Sequence, residues 1–330
     1  MPTTLTHKIA ADNILEKLKN TPAGQLIQGE LPAYYSGSQG GDPFMLYKFY
    51  FFLCGAKTKM MGWALHYTRP QRFFCEGAEY IKNNGSDTLK SYFYGYITHY
   101  CLDMLLHPWI NKITKAMSTH NTLESALDIL YAKQNGIDAY TFDKEQFARD
   151  TLITTGEIDD FYMHMKYLFK DMKIKPKPYQ RAYGYYAYYN SLVSRPGKKE
   201  LRKLKMLNII SQVKLQTLLY QPWETYEGLF DYDFFLGLLE KAVDWSVRRI
   251  ALMDAYFRGE KDMSALQSEF YNVSFHGKPI IPQEERKAFR RLYKKAPVRQ
   301  IRESGLSRAQ ISACEKEKTP ENTGEKPLLP

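Results

Sequence analysis

Apolar positions recur with a helical period along almost the whole chain, and this pattern predicts a nearly all-helical protein. Helices are expected near residues 7–19, 44–67, 71–83, 87–106, 119–134, 143–154, 157–170, 199–219 and 232–257. Local chemistry sets many of their ends. Asp42-Pro43 reads as an N-cap followed by proline at the first helical position. Pro70 and Pro108 stop the helices before them, the second at His107. Gly136 closes the 119–134 helix. Only the Tyr-rich stretch 179–189 has strand character, and it is expected to pair as a short ribbon.

Residues 171–198 are broken by Pro176, Pro178, Pro196 and Gly197 and read as one long connection. Beyond residue 281 a basic helical patch, Glu284 to Lys295, is followed by a polar tail rich in Glu, Lys and Pro that is expected to stay disordered. The expected organisation is one all-α, multi-helix bundle over residues 1–280, with a basic helix and tail over 281–330. No internal repeat is present.

Composition fits a large globular core, with 44% hydrophobic residues among 330, including 26 Tyr and 18 Phe. Charge changes the picture more. The net charge of +10 is concentrated in two segments. Residues 173–205 hold ten Lys and Arg against one acid, Glu200, and residues 281–330 hold twelve against seven acids. The rest of the chain is slightly acidic. Cys54, Cys75, Cys101 and Cys314 form no CxxC pair, and reduced thiols are expected. The start, Met1-Pro2-Thr3-Thr4, has no signal-peptide pattern, and the apolar stretch Phe44 to Cys54 is too short to span a bilayer. A soluble, cytoplasmic protein is expected.

The candidate chemistry lies in the histidines. Five of the seven, His7, His66, His99, His107 and His120, fall within the first 120 residues. In SYFYGYITHYCLDMLLHPWI, His99, Asp103 and His107 are spaced i, i+4, i+8, and on a helix each such step turns the side chain by only about 40°. All three share one face that is otherwise apolar, where an aspartate is costly unless paired or metal-bound. In the next helix His120 and Glu124 are again i and i+4, a clamp of N and O ligands that suits zinc. Asp42 alone reads as a helix cap, and His66, at a helix C-terminus, as a dipole partner. Their order along the chain with His7 and the other five favours metal. His164 and His276 have no partner at ligand spacing and are expected to be structural. Trp223 lines a pocket or anchors a loop.

HYCLDMLLH followed by HNTLE, with His66, Asp42 and His7 upstream, resembles the bacterial zinc-dependent phospholipases C, whose fold is shared by zinc-dependent single-strand nucleases. The likeness is greatest to the signal-less, intracellular branch and extends more loosely to about residue 257. It implies two zinc ions, one held by Asp42, His66, His99 and Asp103, the other by His107, His120 and Glu124. It also implies a third site, bridged by Asp103 and bound by His7. Secreted members complete that third site with the amine and carbonyl of a mature N-terminal Trp. This chain has no such Trp, and only three residues separate Asp103 from His107, fewer than in secreted enzymes.

The implied activity is hydrolysis of a phosphodiester by a metal-activated water attacking phosphorus, with Asp42 as the catalytic residue that orients or deprotonates it. Two substrates compete. Tyr179, Tyr183, Tyr185, Tyr186, Tyr188 and Tyr189, flanked by cations, suit peripheral contact of 173–205 with an anionic membrane and hence a phospholipid. The same residues would stack on single-stranded nucleic acid, or form an ordinary packed aromatic loop. The helix at 199–219 reads as a membrane-touching or an ordinary amphipathic surface helix. A non-catalytic zinc-binding helical protein is a further alternative. The lack of a Cys cluster favours hydrolytic over structural zinc. No His-Asp dipeptide and no ExxH motif occur, which sets aside HD-type phosphohydrolases and di-iron carboxylate sites.

Overall fold

The computed structural model describes residues 4–48, 56–114, 117–168, 174–194, 197–210, 219–228 and 230–275. Among these, fourteen α-helices form and no β-strand does. The N-terminal half comprises α1 (Thr4–Leu18), α2 (Pro22–Gly29), α3 (Leu31–Ser38), α4 (Asp42–Met45), α5 (Ala56–Tyr67), α6 (Pro70–Asn84), α7 (Asp87–Ile113) and α8 (Met117–Gln134). The remainder comprises α9 (Lys144–Asp150), α10 (Glu157–His164), α11 (Pro178–Val193), α12 (Lys198–Ile210), α13 (Tyr232–Phe257) and α14 (Met263–Glu269). Among the described residues, no helix is long and apolar enough to cross a membrane.

α7 is the axis of the bundle. Its N-terminus is capped by Ser86, whose hydroxyl accepts from the Leu89 amide. Every residue from Ser91 to His107 is buried, so neighbours cover the helix on all sides. α3 and α13 form its main packing partners. Tyr94 of α7 donates to the carboxylate of Asp254 on α13 at 2.9 Å. Against α3 the approach is close enough to require glycine on both helices. A Cβ at Gly95 would lie 2.1 Å from the Tyr34 carbonyl oxygen, and one at Gly37 would lie 1.9 Å from that of Tyr92. Gly95→Ala is therefore expected to cost about 1–3 kcal/mol through overpacking. Chemical denaturation measures this, and an unchanged midpoint would contradict the tight crossing.

α1 depends on α8. The Thr6 amide belongs to the first turn of α1, whose donors have no partner within the helix. Asp128 of α8 accepts from it at 2.9 Å and from the Thr6 hydroxyl at 2.6 Å. Asp128 is fully buried. It also accepts from the Tyr220 hydroxyl and faces the buried Lys144 ammonium at 3.5 Å, which lies 3.8 Å from the centre of the Tyr220 ring.

The helical class agrees with the periodicity, but several expected elements differ. The Tyr-rich stretch is not a ribbon: residues 178–193 form α11. Pro178 opens the helix, and Asp159 accepts from the Tyr179 amide at 2.6 Å. Tyr179, Tyr183 and Tyr186 recur at helical spacing and are buried, so the period outweighs the strand preference of tyrosine. The expected connection 171–198 is thus mostly helix. Pro108 does not stop α7, which runs on to Ile113. Pro108 has no amide for a bond to the Met104 carbonyl. Ile110 is fully buried, and Trp109 packs on Phe234 of α13 with ring centres 5.0 Å apart, so tertiary contacts hold the last turn in place. Asp42 is not the cap of its helix: Gly41 takes that position, and the Asp42 side chain turns into the core.

The remaining differences are of extent. The expected 44–67 helix is divided into α4 and α5, with residues 49–55 outside the described residues. The 143–154 helix ends at Asp150, the 157–170 helix ends at His164 and passes into a 3-10 turn (Met165–Leu168), and α12 is described to Ile210. α2, α3 and α14 were not marked by the apolar pattern. Cys54, His276, Cys314 and the segment 281–330 lie outside the described residues.

Candidate metal centre

Five helices bring the eight candidate ligands to one place. His7 lies in the first turns of α1, Asp42 opens α4, and His66 closes α5. His99, Asp103 and His107 follow one another along α7, and His120 and Glu124 along α8. Asp103 is at the centre and is fully buried. Its Oδ1 is 3.6 Å from His7 Nε2. Its Oδ2 is 3.5 Å from His66 Nε2, 3.4 Å from His99 Nε2 and 3.6 Å from His107 Nδ1. Asp42 Oδ1 closes the set, 3.4 Å from His66 Nε2 and 3.7 Å from His99 Nε2. On the far side of His107, its Nε2 is 3.9 Å from Glu124 Oε1, and His120 Nε2 is 2.8 Å from the same oxygen.

These atoms form two groups. Asp42, His66, His99 and Asp103 each offer one ligand atom within 4.8 Å of the others, and so do His107, His120 and Glu124. Most of the distances in the first group are too long for hydrogen bonds. They suit ligands sharing an ion: with bonds of about 2.0–2.1 Å, tetrahedral ligands sit about 3.3–3.4 Å apart. Unmet polar atoms point the same way. Both ring nitrogens of His7 and of His99, Asp42 Oδ1 and both Asp103 carboxylate oxygens are buried without a hydrogen-bond partner. Native interiors rarely leave such atoms unsatisfied, and still less a cluster of them. The donor set, imidazole and carboxylate without thiolate, is suited to zinc.

Backbone contacts aim the rings. His66 Nδ1 lies 2.8 Å from the Gly62 carbonyl, which fixes the proton there and leaves Nε2 to face the carboxylates. His107 Nδ1 lies 3.1 Å from the Asp103 carbonyl, leaving its Nε2 for the second group. Gly40 supplies close backbone approach. It has φ +54°, and a Cβ there would sit 2.1 Å from His99 Cδ2. Phe275 lies against His66 and His99 with ring centres 5.0 and 5.7 Å apart. His7 and His99 stack at 4.5 Å.

Electrostatics follow from burial and crowding. Burial holds His7 down at about 4 and pushes His99 well below the ordinary imidazole value. Burial raises Asp42 to about 6. Burial would also raise Asp103, but the neighbouring His107 and His99 outweigh it and hold the carboxyl well below its usual range. Burial would lower His66, yet its contacts with Asp103 and Asp42 prevail and hold it up at about 9. A positive charge is thus favoured between the two carboxylates.

The sequence pattern marked all eight residues, and the fold brings all eight together. It did not mark Gly40, Phe275, or Asp128 behind Thr6. Gly40 had a signal in the Gly40-Gly41-Asp42 run, whereas Phe275 had none. His164 is exposed and stacks on Tyr80 at 4.4 Å, away from the ligand groups. Trp223 packs on Tyr232 at 5.3 Å and anchors its loop. Cys75 and Cys101 are buried free thiols.

Residues 6–183, a span that contains every one of the eight, match the family model described as zinc dependent phospholipase C. Comparison with curated proteins and with solved structures gave no significant match. With more than half of its 330 residues matched, and with two His and carboxylate groups of metal-ligating type in that span, the chain belongs to the zinc-dependent phospholipase C family.

Proposed function

We propose that the protein is a zinc-dependent phosphoric diester hydrolase. The observation that carries this reading is the buried set of unpartnered imidazole and carboxylate atoms around Asp103. Asp42, His66, His99 and Asp103 would hold one zinc, and His107, His120 and Glu124 a second. His7, facing the free Oδ1 of Asp103, would hold a third where it binds. Zinc there supplies charge neutralisation for phosphoryl oxygens and a water that ionises near neutral pH.

The chain's own residues then divide the work. Asp103 joins the groups, since its two oxygens face different imidazoles. Asp42 is the least deeply buried of the three carboxylates: its side chain is 10% exposed, against 5% for Glu124 and 0% for Asp103. It would orient a water and accept its proton as the water oxygen bonds to phosphorus and one P–O ester bond breaks, the proton then passing to the leaving alcohol oxygen. His120, 13% exposed, marks the accessible edge of the second group.

A phospholipid is favoured over nucleic acid as substrate. Tyr179, Tyr183, Tyr186 and Tyr189 are buried and offer no platform for bases, which leaves only the half-buried Tyr185 and the exposed Tyr188 of the six. Most of the exposed side chains among the described residues of 173–205 are cationic, which suits the surface of an anionic membrane. The test is reversible metal removal. The chelator-stripped protein is expected to lose turnover of a chromogenic phosphodiester and of a phospholipid in micelles, and to regain both with zinc. Zinc is also expected to raise the melting temperature, with each ion adding about 2.7 kcal/mol at a hundred times its Kd. Full turnover by the stripped protein, or no thermal shift with zinc, would overturn the reading.

A further inference from the structure

We propose that α12 docks the protein on anionic lipid surfaces, with Met206 inserted among the headgroups. α12 is held to the bundle by one side only. Leu204 is fully buried in a small cluster with Tyr189, Leu192 and Val193 of α11. The opposite side is open. Lys198, Lys199, Arg202, Lys203 and Lys205 are all exposed, and the single acid of the helix, Glu200, is partly buried. In their midst Met206 is 66% exposed, the most of any large apolar side chain among the described residues. At about 100° per residue, Lys199 and Arg202 fall within about 40° of Met206 around the helix axis.

Some lysines elsewhere pair with a carboxylate, as Lys8 does with Asp12, Lys17 with Asp244 and Lys90 with Asp87. None of the five on α12 has such a partner among the described residues. A group of cations without carboxylate partners around an exposed thioether suits a surface with anions outside and acyl chains beneath. A second copy would bring the same charge against it. Residues 281–330, with twelve Lys and Arg against seven acids, are also basic and would be repelled. Nucleic acid would satisfy the cations but gives Met206 nothing apolar to enter.

The position of the helix connects this surface to the candidate centre. The cluster beneath α12 also takes in Leu46, four residues after Asp42. The inference deepens the phospholipid reading, but its test does not depend on turnover. Zinc-loaded and chelator-stripped protein would be sedimented with phosphatidylcholine vesicles, with and without phosphatidylserine. Both forms are expected to pellet with the phosphatidylserine vesicles and to be released by salt. Lys199→Gln, Arg202→Gln and Lys205→Gln together are expected to weaken partitioning about a hundred-fold, about five-fold for each cation. Met206→Ala is expected to weaken it further at constant charge.

All these side chains are exposed, so the variants are expected to turn over a soluble phosphodiester as the parent does. Vesicle binding without any turnover would support docking while the hydrolase reading failed. Three results would overturn docking: equal pelleting with phosphatidylcholine alone, binding indifferent to the triple substitution, or tighter retention of single-stranded DNA than of phosphatidylserine vesicles.

Discussion

Asp103→Asn is expected to deplete zinc from both ligand groups and to lower phosphodiester turnover by well over a hundred-fold. Loss of a residue that only supports a ligand costs about 10–100-fold in affinity or activity. Asp103 faces imidazoles with both oxygens: His7 at Oδ1, and His66, His99 and His107 at Oδ2. Asn keeps the shape but replaces one oxygen with an amide group that donates and cannot ligate. It also removes the negative charge that offsets the ions. His99→Ala is expected to act in the same direction on the first group alone, because His107, His120 and Glu124 remain. Elemental analysis of zinc together with the hydrolysis rate checks both variants. Full zinc and full turnover in both would defeat the assignment of these residues as ligands.

The largest effect on stability is expected from Asp128→Ala, a loss of about 3–5 kcal/mol, as for other buried ion pairs stripped of one partner. The carboxylate is fully buried and serves the Thr6 amide, the Thr6 hydroxyl, the Tyr220 hydroxyl and Lys144. Removing it leaves the first turn of α1 without its cap and Lys144 without its counter-charge. Burial already lowers the Lys144 pKa, so the lysine would sit in a place that disfavours its charge. Lys144→Met in the same chain is expected to recover part of the loss, because the uncompensated charge is gone while Thr6 remains unsatisfied. Denaturant unfolding of the two single variants and the double variant measures this. A loss under about 1 kcal/mol for Asp128→Ala would show that the network does not hold α1 to α8.

Five of the eight candidate ligands were legible in the sequence because each is constrained twice: by chemistry that suits metal, and by a spacing that keeps neighbours on one helix face. His99, Asp103 and His107 satisfy both conditions, as do His120 and Glu124. Where one constraint was missing, local rules gave the wrong answer. Asp42 before Pro43 matched a helix cap, but the Gly40-Gly41 turn places the cap one residue earlier and frees the carboxylate for His66. Pro108 matched a helix stop, but burial of Ile110 and packing of Trp109 hold the next turn in helical form. The tyrosines of α11 suggested a strand by residue type and a helix by period, and the buried stripe of Tyr179, Tyr183 and Tyr186 follows the period. Asp128 gave no signal, since its partners Thr6, Lys144 and Tyr220 come from three distant places in the chain.

The unbroken burial of α7 from Ser91 to His107 determines how the centre behaves in time. Amides on such a segment exchange with solvent only when the whole domain opens, whereas termini and surface turns open locally and often. Three of the eight candidate ligands are carried on that slowest-opening element. The helix itself therefore fixes the spacing of these three, so that an ion meets them on a rigid support rather than on a loop that must first be ordered.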